Sequence, residues 1–305
     1  MINAHAPAVH IDVPLQQEHY LSKCNVIWRQ KQLLVRLFQR FEQPYLPTTR
    51  SEWLLSECLK RSSVQLVRLD PSLGEAQIKL WADAAEKADK KVFLQLPSTQ
   101  LIPQKHSTFS WFLKQLADRL AATVLLLLIA PLMFFITGLI CIYSPGPIFF
   151  QQWRVGERGK LFKIWKFRTM VVDAEKLHHR VMGDQNGLHK LKDDPRLTPI
   201  GAWMRRYSLD ELPQLFNVLR GEMSLVGPRP WALYDALRLS PEGKKRLNAL
   251  PGITGAWQVQ ARSNLVDMDA VNCIDLEYLR DWSLRQDLKI LMMTLPKVFL
   301  GFGAY

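Results

Sequence analysis

A long uncharged apolar segment constrains this chain more than any other feature. From Leu120 to Tyr143 the sequence reads LAATVLLLLIAPLMFFITGLICIY and contains no charged residue. About 20 apolar residues are enough for a helix to cross the hydrocarbon core of a bilayer. A core helix of a soluble protein rarely stays apolar on every face for this length. The segment therefore predicts a helix inserted into a membrane, over about residues 109–143.

The path of this helix depends on Pro131 and on the flanking charges. Proline removes a backbone hydrogen bond and bends a helix, and Pro131 lies near the middle of the segment. A helix that enters the membrane, bends and leaves on the same face would keep both flanks on the cytosolic side, where basic residues accumulate. An ordinary kinked transmembrane helix is the alternative, because proline is tolerated there. Basic residues flank both ends: Lys105, Lys114 and Arg119 before it, and Arg154, Arg158, Lys160, Lys163, Lys166 and Arg168 after it.

The charge balance indicates an anionic partner. The chain has 40 Lys and Arg residues against 28 Asp and Glu residues, a formal net charge of +12. Phospholipid headgroups, a phosphorylated substrate and nucleic acid all fit this excess. The four cysteines are far apart and form no CxxC or Cys/His cluster in the sequence. This spacing argues against a zinc site or a disulfide framework and favours a reducing, cytosolic setting.

The region before the apolar segment predicts a small soluble domain of mixed α/β structure. Val64 to Leu69 and Val92 to Leu96 are β-prone, and Leu73 to Lys90 has helical periodicity. A strand, a helix and a strand in this order predict a βαβ unit. We therefore expect a soluble domain over residues 1–105 and a mostly helical, membrane-embedded domain over residues 106–305.

The candidate chemistry centres on Asp210 and Glu211, in the segment RRYSLDELPQLFNVLRGEMSLVGPRP. Ser208 could cap a helix that has both acids in its first turn, where the helix dipole favours carboxylates. That structural role would explain an isolated pair of acids. Nearby arginines favour ionised carboxylates, which could attack phosphorus or ligate Mg²⁺. These arginines are Arg205, Arg206, Arg220 and Arg229.

Two other segments combine cations with aromatic or turn residues. Residues 144–170 alternate basic and aromatic side chains, as expected of a membrane-interface segment, of a phosphate-binding segment or of both. Arg229 lies in the rigid stretch Gly-Pro-Arg-Pro, where a guanidinium would suit bidentate phosphate recognition. Arg262 is the last residue of the motif PGITGAWQVQAR and is either a phosphate ligand or an incidental surface residue.

Taken in order, these blocks resemble the bacterial sugar transferase family, the monotopic phosphoglycosyl transferases that begin lipid-linked glycan assembly. The resemblance covers roughly residues 109–303. It rests on the apolar helix with a central proline and on the blocks SPGPIFFQQWRVG, FKIWKFRTM, RRYSLDELPQLFNVLRGEMSLVGPRP and PGITGAWQVQAR.

The resemblance implies a reaction and a set of site residues. Enzymes of this family transfer a sugar 1-phosphate from a UDP-sugar to polyprenyl (undecaprenyl) phosphate and release UMP, in the first membrane step of exopolysaccharide or glycoconjugate synthesis. By this match Asp210 is the nucleophile and lies next to bound Mg²⁺, while Glu211 assists it. The implied substrate-binding residues are Lys166, Arg168, Arg205, Arg229 and Arg262. The implied partners are the two substrates and the lipid bilayer, with no nucleic acid, and the implied location is the cytosolic face of the inner membrane.

The sequence also departs from the family pattern. The family's membrane helix breaks at a Ser-Pro pair, whereas this chain has Ala130-Pro131, so the break rests on Pro131 alone. Larger relatives have several transmembrane helices before the catalytic region, where this chain has the soluble domain, which would serve regulation or formation of a homodimer. A Mg²⁺-dependent lipid phosphatase and a non-enzymatic protein that binds anionic lipid remain alternatives.

Overall fold

A computed structural model describes residues 24–37, 51–96, 108–174, 194–260 and 267–300. The chain forms two compact units, Met1–Lys90 and Lys91–Tyr305. Helices and strands are mixed, as predicted, and one helix is long and apolar. Lys105, Arg262 and the C-terminal end of the chain lie outside the described residues.

The first unit contains short strands and two helices. Strands β1 (Cys24–Arg29) and β2 (Gln32–Leu37) are antiparallel, and β2 pairs in parallel with β3 (Leu66–Leu69). Helix α1 is Glu52–Arg61 and helix α2 is Gly74–Lys87. The apolar side of α2 is buried, since Ile78, Trp81, Ala82, Ala84 and Ala85 are at most 2% exposed. The predicted order of strand, helix and strand is completed by β4 (Lys91–Leu94), which belongs to the second unit.

Helix α3 (Thr108–Tyr143) confirms the predicted long apolar helix. Among the described residues it is the one helix long and apolar enough to cross a membrane, and its most apolar stretch of 18 residues has a mean hydropathy of 2.8. It is assigned as one continuous α-helix with Pro131 inside. One side packs in the interior of the second unit, through residues such as Ala122, Ile136 and Ile140. The other side exposes large apolar side chains: Phe109, Phe112, Leu116, Leu120, Val124, Leu127, Leu128, Phe134, Phe135 and Ile142.

After α3, strands β5 (Phe149–Val155) and β6 (Leu161–Phe167) form an antiparallel hairpin. The sequence reasoning did not predict this hairpin, because the mixed basic and aromatic residues hide the alternation of a strand. Lys163 and Lys166 are three residues apart and therefore lie on opposite faces of β6. The tight turn needs Gly159, whose φ is +78° and where an added Cβ would approach the carbonyl oxygen of Leu94 to 2.5 Å.

The remaining elements surround this hairpin and α3. They are the helices α4 (Pro199–Arg206), α5 (Gln214–Leu219), α6 (Leu233–Arg238), α7 (Ala256–Gln260), α8 (Met268–Arg280) and α9 (Leu284–Leu300), with the parallel strands β7 (Ser224–Val226) and β8 (Gly252–Thr254). A core formed by residues such as Phe162, Leu215, Val226 and Trp282 joins β6, α5, β7 and the C-terminal helices to α3. A second cluster, around Phe167 and Met204, packs against the C-terminal half of α3.

Candidate active site

Asp210 and Glu211 lie in a short 3-10 turn, Leu209–Glu211, between α4 and α5. Ser208 has left-handed backbone angles (φ 54°, ψ 24°). The prediction that it caps a regular helix is therefore wrong, because an N-cap residue is normally extended. Both carboxylates are buried, with 7% of Asp210 and 9% of Glu211 exposed. Acids that only complement the dipole at the start of a surface helix would be exposed to solvent. The burial of Asp210 and Glu211 therefore favours a functional role.

Lys166 faces the acidic pair from the end of β6. Its Nζ donates a hydrogen bond to Oε1 of Glu211 at 2.8 Å and lies 3.9 Å from Oδ2 of Asp210. Arg229 reaches the same Oε1 of Glu211 with a terminal nitrogen at 3.3 Å. Glu211 is therefore held by both cations, whereas Asp210 is near Lys166 without a direct hydrogen bond to it.

Arg205 approaches Asp210 from the last turn of α4. Its Nε donates to Oγ1 of Thr169 at 3.0 Å, which fixes the guanidinium next to the end of β6. Burial lowers the pKa of Arg205, and the largest opposing effect comes from the charge of Asp210. The predicted cations Lys166, Arg205 and Arg229 thus converge on the Asp210–Glu211 pair.

The electrostatics of Asp210 differ from the sequence expectation. Burial, assisted by the charge of Glu211, raises the pKa of Asp210 despite the lowering by Lys166, Arg205 and Arg229. The sequence reasoning counted the neighbouring cations and predicted a stably ionised carboxylate, but burial depends on the fold. Burial likewise lowers the pKa of Lys166 despite the nearby carboxylates. The acidic pair is largely shielded from solvent, so its charges interact strongly with those of neighbouring groups.

Other predicted site residues lie elsewhere. Arg168 is buried at the end of β6, where its terminal nitrogens donate to the carbonyl oxygens of Ser144 and Pro145, the latter at 3.4 Å. It braces the turn that follows α3, and its substrate-binding role stays a prediction. Arg262 lies outside the described residues, so its role also stays a prediction. Pro131 is inside α3, with the α-helix continuing on both sides.

Two residues that hold the site in place lie in the blocks FKIWKFRTM and SPGPIFFQQWRVG, but the sequence reasoning gave them no such role. Thr169 orients Arg205, and Arg154 of β5 donates to the carbonyl oxygen of Pro230 at 3.2 Å. The sequence reasoning treated Arg154 as a charge that flanks the apolar helix and as one of the cations of residues 144–170 that could bind phosphate, and it assigned it no partner in the protein. A cation with aromatic neighbours on a strand was the available signal, but it does not specify a partner 76 residues away.

The carboxylates allow a limited test of the predicted magnesium. Within the described residues, no group of three or more His, Cys, Asp or Glu side chains converges as a metal site. Mg²⁺ is usually bound by one or two carboxylates together with substrate phosphates and water, and does not require an all-protein cage. Asp210, a buried carboxylate with cations that could bind phosphate beside it, fits that pattern.

The second unit is similar to a known family and to known proteins. Residues 109–301 match the family described as bacterial sugar transferase. The chain is 40% identical over 200 residues to exopolysaccharide production protein ExoY of Rhizobium meliloti, which covers 63% of this chain and 88% of ExoY. It is 46% identical over 162 residues to galactosyl transferase CpsE of Streptococcus agalactiae, which covers 52% of this chain and 36% of CpsE.

A third relative is the UDP-glucose:undecaprenyl-phosphate glucose-1-phosphate transferase of Escherichia coli. It is 39% identical over 217 residues, or 69% of this chain and 45% of the relative. The chain thus spans less than half of two of these relatives and most of ExoY. The match includes the apolar helix, the hairpin and the acidic pair with its cations. The chain belongs to the bacterial sugar transferase family.

Proposed function

We propose that this chain transfers a sugar 1-phosphate from a UDP-sugar to polyprenyl phosphate, forming a polyprenyl-diphospho-sugar and UMP. The observation that carries this proposal is the buried Asp210–Glu211 pair, faced by Lys166, Arg205 and Arg229, in a member of this family. The Escherichia coli relative is named for such a transfer, from UDP-glucose to undecaprenyl phosphate. The name of ExoY supports a place in exopolysaccharide production. In this proposal the transfer is the first membrane step of that synthesis.

Asp210 is the nucleophile in this proposal, because Glu211 is already engaged by Lys166 and Arg229. A carboxylate oxygen of Asp210 attacks the sugar-linked phosphorus of the UDP-sugar. The new O–P bond forms as the bond from this phosphorus to the UMP oxygen breaks, and UMP leaves with the electron pair. A phosphate oxygen of polyprenyl phosphate then attacks the same phosphorus, and Asp210 is released as a carboxylate. Splitting the transfer in this way lets the soluble donor leave before the lipid reacts.

The positive groups of the site bind and orient the phosphates. Lys166, Arg205 and Arg229 stabilise the negative charge that is redistributed as the P–O bond breaks, and burial strengthens these interactions. Asp210 would also hold Mg²⁺ jointly with the substrate phosphates, where the ion would supply further charge neutralisation. Glu211 keeps Lys166 and Arg229 beside the nucleophile.

The apolar surfaces place the site next to a membrane in this proposal. Along its length α3 exposes large apolar side chains, and α9 exposes a stripe at helical spacing: Leu284, Leu288, Met292 and Leu295. An amphipathic helix of this kind lies in the interface of a bilayer. The acceptor phosphate lies at headgroup depth, so a site beside these surfaces can reach it without extracting the lipid.

The packing of α3 supports re-entry over a full crossing. Before Pro131, Lys114 pairs with Asp287 of α9. After Pro131, Ile136 and Ile140 pack with Phe167, the neighbour of Lys166 in β6. Both halves of α3 thus contact the same unit, and a crossing helix would carry these partners through the bilayer. We infer that α3 enters and leaves on the cytosolic face of the inner membrane.

Cysteine labelling tests this topology. We expect Ala117→Cys and Pro147→Cys, each in a variant whose four native cysteines are replaced by serine, to react with an impermeant maleimide from the same membrane face. Both positions are exposed and flank the apolar part of α3. The serine background without a new cysteine is the control. Labelling of the two positions from opposite faces would establish a crossing helix.

The proposed reaction is tested by its products. We expect membranes containing the chain to release UMP from one or more of a panel of UDP-sugars, in proportion to added polyprenyl phosphate. Without the lipid, UMP release should stop at about one equivalent per enzyme, because the covalent intermediate accumulates. A lipid phosphatase would instead release inorganic phosphate from polyprenyl phosphate without any UDP-sugar, and a lipid-binding protein would release neither product.

A further inference from the structure

The segment Gly227–Pro230, here called the arginine strap, carries Arg229 to the acidic pair. Pro228 and Pro230 lack an N–H group, so the strap depends largely on its carbonyl oxygens to be held in place. Each of its last three carbonyls accepts a hydrogen bond. Pro228 accepts from the backbone N–H of Gly252 at 2.9 Å, Arg229 from Arg246 at 3.0 Å and Pro230 from Arg154 at 3.2 Å.

Arg246 is the more deeply buried of the two arginine donors. It is 2% exposed. One terminal nitrogen donates both to the carbonyl oxygen of Arg229 and to the carboxylate of Asp275 on α8, and the other lies 3.3 Å from Oδ1 of Asn272. The guanidinium also lies over the ring of Trp231, 4.9 Å from its centroid. A side chain enclosed on all these sides has no surface to offer a substrate.

We propose that Arg246, held by Asp275, is a positioning residue that sets the height and direction of Arg229 against Glu211. This inference rests on the proposed function, in which Arg229 binds phosphate. The planar guanidinium can donate to Asp275, Asn272 and the strap carbonyl at once, whereas the flexible ammonium of lysine cannot reproduce this fixed geometry. The Arg246–Asp275 pair thus couples α8, far along the chain, to the position of a substrate-binding cation.

The expected effect is large but incomplete. A displacement of about 1 Å in a catalytic arrangement can cost about 100-fold in rate. Arg154 and Gly252 still hold the neighbouring carbonyls when Arg246 is lost. We therefore expect the loss in kcat/KM for UMP release to be about 10- to 100-fold.

The test removes the buried pair as a unit. In Arg246→Met/Asp275→Leu, apolar side chains replace both charges, and such replacements are often neutral for stability. We expect a thermal midpoint close to that of the original protein, with the fall in kcat/KM given above. Arg246→Lys, which keeps a cation next to Asp275, provides a second variant. It should also lose activity, because an ammonium group cannot reproduce the planar geometry of the guanidinium. The control is Arg280→Gln, which changes an exposed arginine on α8, the helix that contains Asp275. It should leave kcat/KM unchanged.

A cycle with Arg229→Ala distinguishes positioning from a general structural effect. If Arg246 acts through Arg229, removing the pair from the Arg229→Ala variant should lower kcat/KM by less than about twofold. The inference is overturned if the losses in kcat/KM from the pair and from Arg229→Ala multiply, or if both Arg246 variants keep the wild-type kcat/KM. Either result leaves the proposed function intact. Absence of UMP release by the original protein from every UDP-sugar would instead overturn the proposed function, and the inference with it.

Discussion

Asp210→Asn should abolish UMP release from UDP-sugars. The asparagine side chain has nearly the same shape but lacks the carboxylate oxygen that attacks phosphorus in the proposed reaction. Removal of an attacking group costs about 10⁴-fold or more in enzymes that form covalent intermediates. The measurement is UMP formed in a single turnover, followed by intact-mass analysis of the protein. The original protein should gain the mass of one phosphosugar, and Asp210→Asn should gain none.

The structure indicates that this variant will fold. Burial raises the pKa of Asp210 above the value of an unfolded aspartate, about 3.9. A carboxyl group whose pKa is higher in the folded state binds protons more tightly there, so at neutral pH its ionised form lowers the stability of the fold. The neutral asparagine removes this cost. We therefore expect the thermal midpoint of Asp210→Asn to equal or exceed that of the original protein.

The matched control is Asp281→Asn, which changes an exposed aspartate on the surface and should keep full activity. Retained turnover or a phosphosugar adduct in Asp210→Asn would refute covalent catalysis by Asp210. A protein that only binds anionic lipid would be insensitive to Asp210→Asn and would instead respond to the loss of surface lysines.

Local patterns predicted the long helix and the identity of the groups in the site. Hydropathy selected the apolar stretch from Leu120 to Tyr143 within a predicted helix of about 109–143, and α3 runs from Thr108 to Tyr143. The helix and strands around residues 64–96 were also predicted, with ends displaced by one to three residues. Lys166, Arg205 and Arg229 were selected from short motifs, and they converge on Asp210 and Glu211 because those motifs end at neighbouring points of the fold.

Features that depend on distant contacts were not predictable in this way. Arg246 pairs with Asp275, 29 residues away, and no spacing rule connects them. The raised pKa of Asp210 depends on burial by elements that the sequence does not place beside it. Lys114 shows the same limit: it was counted as a charge flanking the membrane segment, yet it is 2% exposed and pairs with a residue 173 positions away. Re-entry is therefore better supported by the packing of α3 than by flanking charge.

Lys114→Met should strongly destabilise the second unit. Nζ of Lys114 lies 2.7 Å from Oδ2 of Asp287 and 3.3 Å from Oδ2 of Asp118. The methionine fills similar space but leaves the buried carboxylate of Asp287 and the partly buried carboxylate of Asp118 without their shared cation. Breaking a buried ion pair from one side costs about 3–5 kcal/mol, which corresponds to a fall of roughly 10 °C in the thermal midpoint of a unit of this size.

The destabilisation should be relieved when one of the two carboxylates is neutralised, and this separates it from a simple packing effect. Hydroxyl and indole donors from Ser224, Tyr278 and Trp282 remain on the two carboxylates, but they do not neutralise the charge. Without Lys114 the two carboxylates lose the cation that contacts both of them, and the burial of Asp287 makes its uncompensated charge costly.

Two further variants complete this test of the Lys114 contacts. Lys60→Met removes an exposed lysine paired with Glu57 and should change stability by less than about 1 kcal/mol. Asp118→Asn added to Lys114→Met removes one of the unpaired charges and should recover part of the lost stability. If Lys114→Met instead unfolds at the original temperature, apolar packing alone holds α3 against α9. In that case the buried ion pair adds nothing to the contact on which the proposed re-entrant path depends.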